Sequence, residues 1–267
     1  MMSRIDRVFQ HKGSTAFIGF TVAGDPDKDT STRIAHALID GGTDILELGV
    51  PFSDPVADGQ TIQKADERAL AAGTTPDTVF SLVREIRAYS EVPIVLLTYY
   101  NMVYRRGVDR FYREAHDAGV DGILIADMPV EESAEVVEIA QRYDIDPIFL
   151  VTRTTSAERM DEIIRRARGY LYLVSVLGVT GARERVPEEA ITLLHRVKTH
   201  TTLPLALGFG ISTPEHVKTC ADAGADGVIV GSAIVSIVEK NLGDTPRMER
   251  ELKQYVARMK VAGTRAR

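Results

Sequence analysis

The sequence predicts an α/β fold, a (β/α)8 TIM barrel with additional flanking helices. Short apolar runs rich in β-branched residues alternate with amphipathic stretches of helical length, the pattern of repeated βα units. No long linker separates these units, which favours a closed barrel over an open sheet. The length of 267 residues suits a barrel built as one domain, so we expect residues 1–267 to form a single domain.

Eight apolar runs are the predicted strands. In chain order they are Ala16 to Thr21, Asp44 to Leu48, Pro93 to Leu97, Gly122 to Ile125, Pro147 to Val151, Tyr170 to Val174, Leu203 to Leu207, and Gly227 to Val230. Extra helices are expected near the two ends of the chain, from Ser3 to His11 and from Pro246 to Met259.

A five-residue repeat precedes three of these strands. It runs from Asp40 to Asp44, from Asp117 to Asp121 and from Asp222 to Asp226, with glycine in the middle and aspartate at both ends. Each copy is interpreted as one helix-to-strand turn, because glycine readily adopts the left-handed conformation that ends a helix.

The composition excludes several classes of function. A formal net charge of -6 argues against nucleic-acid binding, which concentrates Lys and Arg on one face. The start of the chain lacks the apolar stretch of a signal peptide, and no run of about 18 apolar residues occurs, so we expect a cytoplasmic protein without membrane association. Cys220 is the only cysteine, which rules out an internal disulfide.

The second predicted strand carries a carboxylate among apolar neighbours. Period-2 alternation places Ile45, Glu47 and Gly49 on one face, and no Lys or Arg occurs from Ala35 to Gln63. Burial without a nearby cation would raise the pKa of Glu47 and prepare it for proton transfer near neutral pH. The alternative is a glutamate satisfied by partners distant in sequence.

The loop after this strand contains two further acids, Asp54 and Asp58, among prolines and a glycine. Long loops after barrel strands often contact the substrate. Each of the two acids has an equally good interpretation as a turn or helix-capping residue.

Glycines cluster after the last three strands, at Gly178 to Gly181, Gly208 to Ser212 and Gly231 to Ala233. Glycine lets backbone N–H groups approach an anion, and a helix beginning at Ser232 would direct its positive end to the same place. The loops after strands seven and eight are the recurrent phosphate site of this barrel, so a phosphorylated ligand is predicted.

Absences narrow the predicted reaction. No lysine lies in any of the eight predicted strands, which argues against a Schiff-base aldolase. The closest histidines, His195 and His200, lack the four-residue spacing of helical zinc ligands, so no metal site is predicted. Metal-free acid–base chemistry on a phosphorylated substrate is the remaining prediction.

The segment from Glu47 to Gly59, which reads ELGVPFSDPVADG, resembles the signature of tryptophan synthase alpha chains. Further similar segments extend the resemblance over nearly the whole chain: Gly24 to Pro26, Tyr99 to Asn101, Ala126 to Ser133, Gly178 to Gly181, Gly208 to Ser212, and Gly231 to Val235. The resemblance implies a lyase that splits indole-3-glycerol phosphate into indole and glyceraldehyde 3-phosphate, with no cofactor in this chain. It also implies a partner, a pyridoxal-phosphate β subunit in an α2β2 heterotetramer that receives the indole.

The resemblance further implies roles for individual residues. Glu47 would be the general acid–base, and Asp58 would hold the indole ring nitrogen. Tyr172 matches a tyrosine of the active site, although packing in the barrel explains it equally well. The remaining matches are the indole pocket, which comprises Phe20, Leu97, Tyr99 and Thr180, and the phosphate site, which comprises Gly181, Gly210, Gly231 and Ser232.

Three positions depart from the family pattern. Gly19 and Gln60 stand where proline is common, and the turn Thr152 to Thr155, which includes Arg153, replaces a proline-containing turn. These departures bear on the stiffness of loops, because proline limits the conformations that a loop samples.

Two other readings stay open. Another phosphate-binding barrel, such as a sugar-phosphate epimerase or indole-glycerol-phosphate synthase, would share the fold and the phosphate site. A binding module that activates the β subunit without lyase activity is the second, and the presence of Glu47 and Asp58 argues against it.

Overall fold

The computed structural model describes residues 2–10, 13–174, 185–208 and 210–264. Eight parallel strands close into a barrel in the order of the sequence. They are β1 (Ala16–Val22), β2 (Ile45–Gly49), β3 (Ile94–Thr98), β4 (Gly122–Ile125), β5 (Asp146–Thr152), β6 (Leu171–Val174), β7 (Leu205–Gly208) and β8 (Gly227–Val230). The predicted fold is confirmed.

Helices surround the barrel. Within the described ranges they are α1 (Arg4–Phe9), α2 (Lys28–Asp40), α3 (Gln60–Ala71), α4 (Pro76–Tyr89), α5 (Tyr100–Arg106), α6 (Val108–Ala118), α7 (Ala134–Arg142), α8 (Ala157–Arg166), α9 (Glu188–Lys198), α10 (Pro214–Asp222), α11 (Ser232–Lys240) and α12 (Thr245–Ala262), with a short 3-10 helix at Val130–Glu132. The two predicted flanking helices correspond to α1 and α12.

The predicted strands agree with the observed ones to within two residues at each end. The largest difference is at β7, which begins at Leu205 rather than at the predicted Leu203. The residue before Leu205 is Pro204, which has no backbone N–H to donate to a neighbouring strand. Pro204 still accepts a hydrogen bond from Leu171 N at 2.9 Å, so the pairing with β6 starts one residue before the strand itself.

The interior of the barrel is filled by inward-facing apolar side chains, as in other barrels of this type. This inner layer comprises Ile18, Ile45, Val95, Leu124, Ile148, Tyr170, Ala206 and Ile229, and Ile5 of α1 packs against it. Because side chains alternate along a strand, Glu47 faces inward two residues beyond Ile45, toward the C-terminal end of the barrel.

Each copy of the five-residue repeat connects two neighbouring strands through hydrogen bonds. The last aspartate of each copy exchanges two hydrogen bonds with one residue of the preceding strand. Asp44 does so with Phe17 at 2.9 and 2.7 Å, Asp121 with Ile94 at 2.8 and 2.8 Å, and Asp226 with Leu205 at 2.9 and 3.0 Å. The central glycines have positive φ angles, of +103°, +97° and +90° in chain order, as the sequence predicted.

Candidate active site

Glu47 is fully buried in the middle of β2, beside Phe20 of β1 and Val95 of β3 in the strand register. Neither of its carboxylate oxygens has a hydrogen-bond partner among the described residues. The alternative interpretation is a glutamate that is hydrogen-bonded by residues distant in sequence. No such residue lies in the described part of the chain.

Burial raises the pKa of Glu47 to about 8, and the negative charge of Asp58 raises it in the same direction. A carboxyl group with this pKa is mostly protonated at neutral pH, and it loses its proton within the range where enzymes work. Glu47 can therefore act both as a proton donor and, once ionised, as a proton acceptor.

Asp58 lies in the loop between β2 and α3 and is held by Tyr99, at the end of β3. The Tyr99 hydroxyl donates to Asp58 Oδ2 at 2.7 Å and accepts from Ala57 N at 3.1 Å. On the other side, Gln63 Nε2 donates to the carbonyl oxygen of Asp58 at 2.8 Å. Phe52 of the same loop stacks on the Tyr99 ring with 5.0 Å between centroids. These contacts fix the carboxylate in one place.

Burial raises the pKa of Asp58, and the hydrogen bond from Tyr99 acts in the opposite direction. Glu47 has no such donor, so the two carboxyl groups differ in environment. A pair of carboxyl groups in unequal surroundings can divide the acid role and the anion role between them.

A cavity of about 250 Å³ opens at the C-terminal end of the barrel, where catalytic groups of this architecture lie. Its inner wall is apolar and is formed by Phe20, Leu97, Leu124, Leu150 and Ile229. Asp58 and Tyr172 contribute polar groups to the same wall. The cavity thus offers a flat aromatic ligand an apolar surface with a carboxylate at one side.

A second part of the cavity lining, the polar side, consists of small and polar residues that follow β7 and β8. They are Gly210, Ser212, Gly231, Ser232 and Ser236. The helix α11 begins at Ser232 with Gly231 as its N-cap and has no acidic residue in its first turn. Its unpaired N–H groups and its dipole favour an anion at this point.

Tyr172 packs against the backbone of β7. A Cβ atom added to Gly208 would lie 2.3 to 2.6 Å from the Tyr172 ring and hydroxyl, so only glycine allows this position of the ring. The tyrosine therefore packs against β7 and also borders the cavity, and its role in the active site stays a prediction.

The structure brings seven of the predicted site residues to the cavity wall: Phe20, Asp58, Leu97, Tyr172, Gly210, Gly231 and Ser232. Glu47 and Tyr99 are not among the residues that line the cavity, and their side chains are exposed by 0% and 2%. Tyr99 contacts Asp58 rather than the apolar surface. The predicted site residues Thr180 and Gly181 lie outside the described residues, as does Gly178 of the same glycine cluster.

Sequence reasoning missed several residues at the site. Ser236 follows Ser232 by one helical turn, a spacing that could have indicated it. The Tyr170 hydroxyl is buried without a partner in the described ranges, and the charge of Glu47 contributes to raising its pKa. No local pattern distinguishes Tyr170 from an ordinary residue of the inner layer.

The three departures from the family pattern have structural consequences. Gly19 is buried on β1, where an added Cβ would lie 3.2 Å from Thr43 Oγ1, and Gln60 is the exposed first residue of α3. In the turn after β5, Thr152 N donates to Thr155 Oγ1 at 3.0 Å, and Arg196 Nη2 donates to Thr152 O at 2.9 Å. Side-chain hydrogen bonds thus support a turn that lacks proline.

The described residues offer neither a metal-binding cluster nor a membrane-spanning helix. They contain no group of three or more His, Cys, Asp or Glu side chains that could hold a metal ion. None of the helices in these ranges is long and apolar enough to cross a membrane.

The closed barrel and a cavity at its C-terminal end, with a buried glutamate that has no hydrogen-bond partner among the described residues, are the features of a (β/α)8-barrel enzyme with a candidate acid–base site. A model of the tryptophan synthase alpha chain family matches residues 7–264. The tryptophan synthase alpha chain of Methanoregula boonei is 75% identical over 262 residues, covering 98% of this chain and 99% of that protein. That of Methanothermobacter thermautotrophicus is 51% identical and covers 96% and 95%.

Solved structures of tryptophan synthase chains also superpose on this chain. Mycobacterium tuberculosis tryptophan synthase superposes with a TM-score of 0.91 at 33% identity, covering 100% of both chains. A chain of the tryptophan synthase α2β2 complex from Pyrococcus furiosus superposes with a TM-score of 0.87 at 43% identity, covering 92% of this chain and 98% of that one. The chain therefore belongs to the tryptophan synthase alpha chain family, and it is a lyase of tryptophan biosynthesis.

Proposed function

We propose that Glu47 and Asp58 carry out the family's reaction in this chain, the cleavage of indole-3-glycerol phosphate to indole and glyceraldehyde 3-phosphate. The observation that supports this most strongly is the burial of Glu47 without a partner among the described residues, which raises its pKa to about 8. A buried carboxyl group without a partner costs stability, so its presence at this position supports a functional role.

The first step is protonation of the indole ring. Neutral Glu47 donates its proton to C3 of the ring, which becomes an indolenine with positive charge on the nitrogen. The Asp58 carboxylate, held by Tyr99 at 2.7 Å, accepts a hydrogen bond from that nitrogen and stabilises the charge. Because Asp58 is already in place, little reorganisation is needed as the charge develops.

The second step breaks the carbon–carbon bond. Glu47, now ionised, removes the proton from the glycerol hydroxyl next to C3. The oxygen forms a carbonyl group, the bond between C3 and the glycerol carbon breaks, and its electron pair returns to the ring and neutralises the indolenine nitrogen. Indole and glyceraldehyde 3-phosphate leave, and Glu47 again carries a proton, so no net proton is consumed.

The two sides of the cavity suit the two parts of this substrate. Phe20, Leu97 and Leu124 offer an apolar surface to the indole ring. The N-terminus of α11, with Gly231 and Ser232, offers N–H groups and a hydroxyl to the phosphate, and Gly210 lies beside it. We also propose that Thr180 contributes to the indole pocket and Gly181 to the phosphate site, as the sequence predicted.

We also propose that the chain acts with a pyridoxal-phosphate β subunit that takes up the indole, as an α2β2 heterotetramer. The similar Pyrococcus furiosus protein is part of such an α2β2 complex. Two apolar side chains at the C-terminal end of the barrel are exposed here, Val56 at 85% and Tyr104 at 67%. They follow the neighbouring strands β2 and β3 and are the candidates for apolar contacts with the β subunit. We further propose that residues 1–267 form a single domain and that the protein is cytoplasmic.

Release of indole from indole-3-glycerol phosphate tests this function. The purified chain is assayed with and without a β subunit, beside the Glu47→Gln variant, which keeps the shape of the side chain but cannot exchange a proton. We expect release by the wild-type chain, an increase with the β subunit, and a loss of about a thousandfold or more in the variant. Turnover by the variant near the wild-type rate would remove Glu47 from the mechanism. Absence of release by the wild-type chain under both conditions would refute the function.

A further inference from the structure

The turn after β7 is fixed by two side chains that do not themselves line the cavity. Ser212 borders the polar side of the cavity together with Gly210 and Ser232. The backbone N–H of Ser212 donates to Nδ1 of His216 at 3.3 Å, and the carbonyl oxygen of Ser212 accepts from the Tyr255 hydroxyl at 3.0 Å. Both peptide groups that flank the Ser212 Cα are therefore held from outside.

The two side chains come from different helices. His216 lies in the first turn of α10 and is 3% exposed, and its own N–H donates to Thr213 Oγ1 at 3.3 Å. Tyr255 lies on α12, which packs against α10. The two contacts thus connect the turn to the helical layer around the barrel.

This turn needs such support because of its sequence. It contains Gly210 with a φ angle of +70°, and glycine samples more backbone conformations than other residues. A phosphate group bound at this side of the cavity requires one of those conformations. Holding the turn in that conformation beforehand reduces the ordering cost that ligand binding would otherwise incur.

We infer that His216 and Tyr255 are positioning residues for the phosphate side of the site, and that they act through the backbone of Ser212. This inference rests on the proposed function, since it concerns the same substrate. Their hydrogen bonds lower the KM for phosphorylated ligands and leave the acid–base step at Glu47 unaffected. The acceptor role of His216 requires Nδ1 without a proton, so an asparagine, whose Oδ1 can accept in its place, is the conservative replacement.

The reverse reaction provides the test, because it separates the phosphate from the rest of the substrate. Indole is condensed with D-glyceraldehyde 3-phosphate or with unphosphorylated D-glyceraldehyde by the wild-type chain and by His216→Leu, His216→Asn and Tyr255→Phe. Tyr89→Phe is the matched control, because the Tyr89 hydroxyl also makes one hydrogen bond, to Asp40 Oδ1 at 2.6 Å, and does not line the cavity.

We expect the KM for glyceraldehyde 3-phosphate to rise about fivefold in His216→Leu and in Tyr255→Phe, as for the loss of one hydrogen bond, with kcat nearly unchanged. The kcat/KM for unphosphorylated glyceraldehyde should not change. His216→Asn should recover most of the wild-type KM, and Tyr89→Phe should behave as the wild type.

Equal losses with both aldehydes, or an unchanged KM in Tyr255→Phe, would overturn the inference. Tyr255→Phe removes a single oxygen atom, so its result stands even if His216→Leu fails to fold. Absence of condensation by the wild-type chain would refute the proposed function itself and the inference with it. Normal wild-type turnover with unchanged KM values would refute the inference alone.

Discussion

Carboxylates at the two ends of the barrel have opposite surroundings. At the N-terminal end, Asp121 accepts hydrogen bonds from Ile94 N at 2.8 Å, from Arg87 at 2.7 Å and from Arg4 at 3.1 Å. Toward the C-terminal end, Glu47 is also buried and has no hydrogen-bond partner in the described ranges. Glu47 lies on β2 and Asp121 immediately precedes β4 of the same barrel, so membership of the barrel alone does not account for the difference.

The difference separates stability from reactivity. A buried carboxylate with three donors, two of them on arginines, contributes to the stability of the fold, whereas burial without donors raises the pKa of Glu47 and leaves it a proton that it can transfer. This division matches the general rule that the N-terminal face of such a barrel serves stability and the C-terminal face serves catalysis. Substitutions at one end of the barrel at a time test this separation.

The largest expected effect is on the pH dependence of the free energy of unfolding, which should differ between Glu47→Gln and the wild type. In the wild-type chain the folded-state pKa of Glu47, about 8, lies above its ordinary value of 4.5. Between these two values the folded state binds more protons than the unfolded state, so the contribution of Glu47 to stability falls as the pH rises and is lost above pH 8. The loss amounts to about 5 kcal/mol at most.

Glutamine does not titrate. The free energy of unfolding of Glu47→Gln should therefore increase relative to that of the wild type from about pH 5 to about pH 9. Urea unfolding at several pH values measures this difference. A constant difference across that range would mean that Glu47 titrates normally in the folded chain.

Replacing Asp121, at the N-terminal end of the barrel, should destabilise the fold without changing catalysis. Asp121→Ala leaves Arg87, whose side chain is 14% exposed, without its ion-pair partner, and should lower the free energy of unfolding by about 3 kcal/mol. Turnover per folded molecule should not change. Asp117→Ala is the matched control, because Asp117 begins the same repeat and is exposed, so its effect should stay within about 0.5 kcal/mol. Equal effects of the two variants would contradict the role assigned to the last aspartate.

Asp58→Ala should reduce kcat about a hundredfold, since the charge on the indole nitrogen loses its stabilising carboxylate. The thermal midpoint should change little, because Asp58 lies in a loop. Asp54→Ala, in the same loop and exposed, serves as the control and should retain activity. A loss confined to thermal stability would instead identify Asp58 as a turn or capping residue.

The smallest effect is expected for Tyr99→Phe. The variant loses the hydrogen bond that lowers the pKa of Asp58, so that pKa rises. Asp58 must be ionised, so the acidic limb of the kcat profile should move to higher pH, with a loss of about threefold at neutral pH. Tyr104→Phe, at a tyrosine that is 67% exposed, should leave the profile unchanged. An unshifted acidic limb in Tyr99→Phe would mean that its hydroxyl does not tune Asp58.

Local patterns in the sequence predicted the eight strands, the glycine turns and the shared face of Ile45 and Glu47, because periodicity and backbone preference act over a few residues. They did not predict contacts between distant residues. Tyr99 and Asp58 are 41 residues apart, and Ser212 and Tyr255 are 43 apart, so no local signal connects them. The absence of a cation between Ala35 and Gln63 indicated that Glu47 lacks a near partner, but only the structure could show what surrounds it.

The protonation state of Glu47 tests the central claim most directly. Infrared difference spectra between the wild-type chain and Glu47→Gln, recorded across the pH range, isolate the carboxyl group of this single residue. We predict a protonated-carboxyl signal that persists through neutral pH and disappears near pH 8. Loss of that signal near pH 4.5, the ordinary value for glutamate, would show that Glu47 is ionised at neutral pH and would contradict its role as the proton donor.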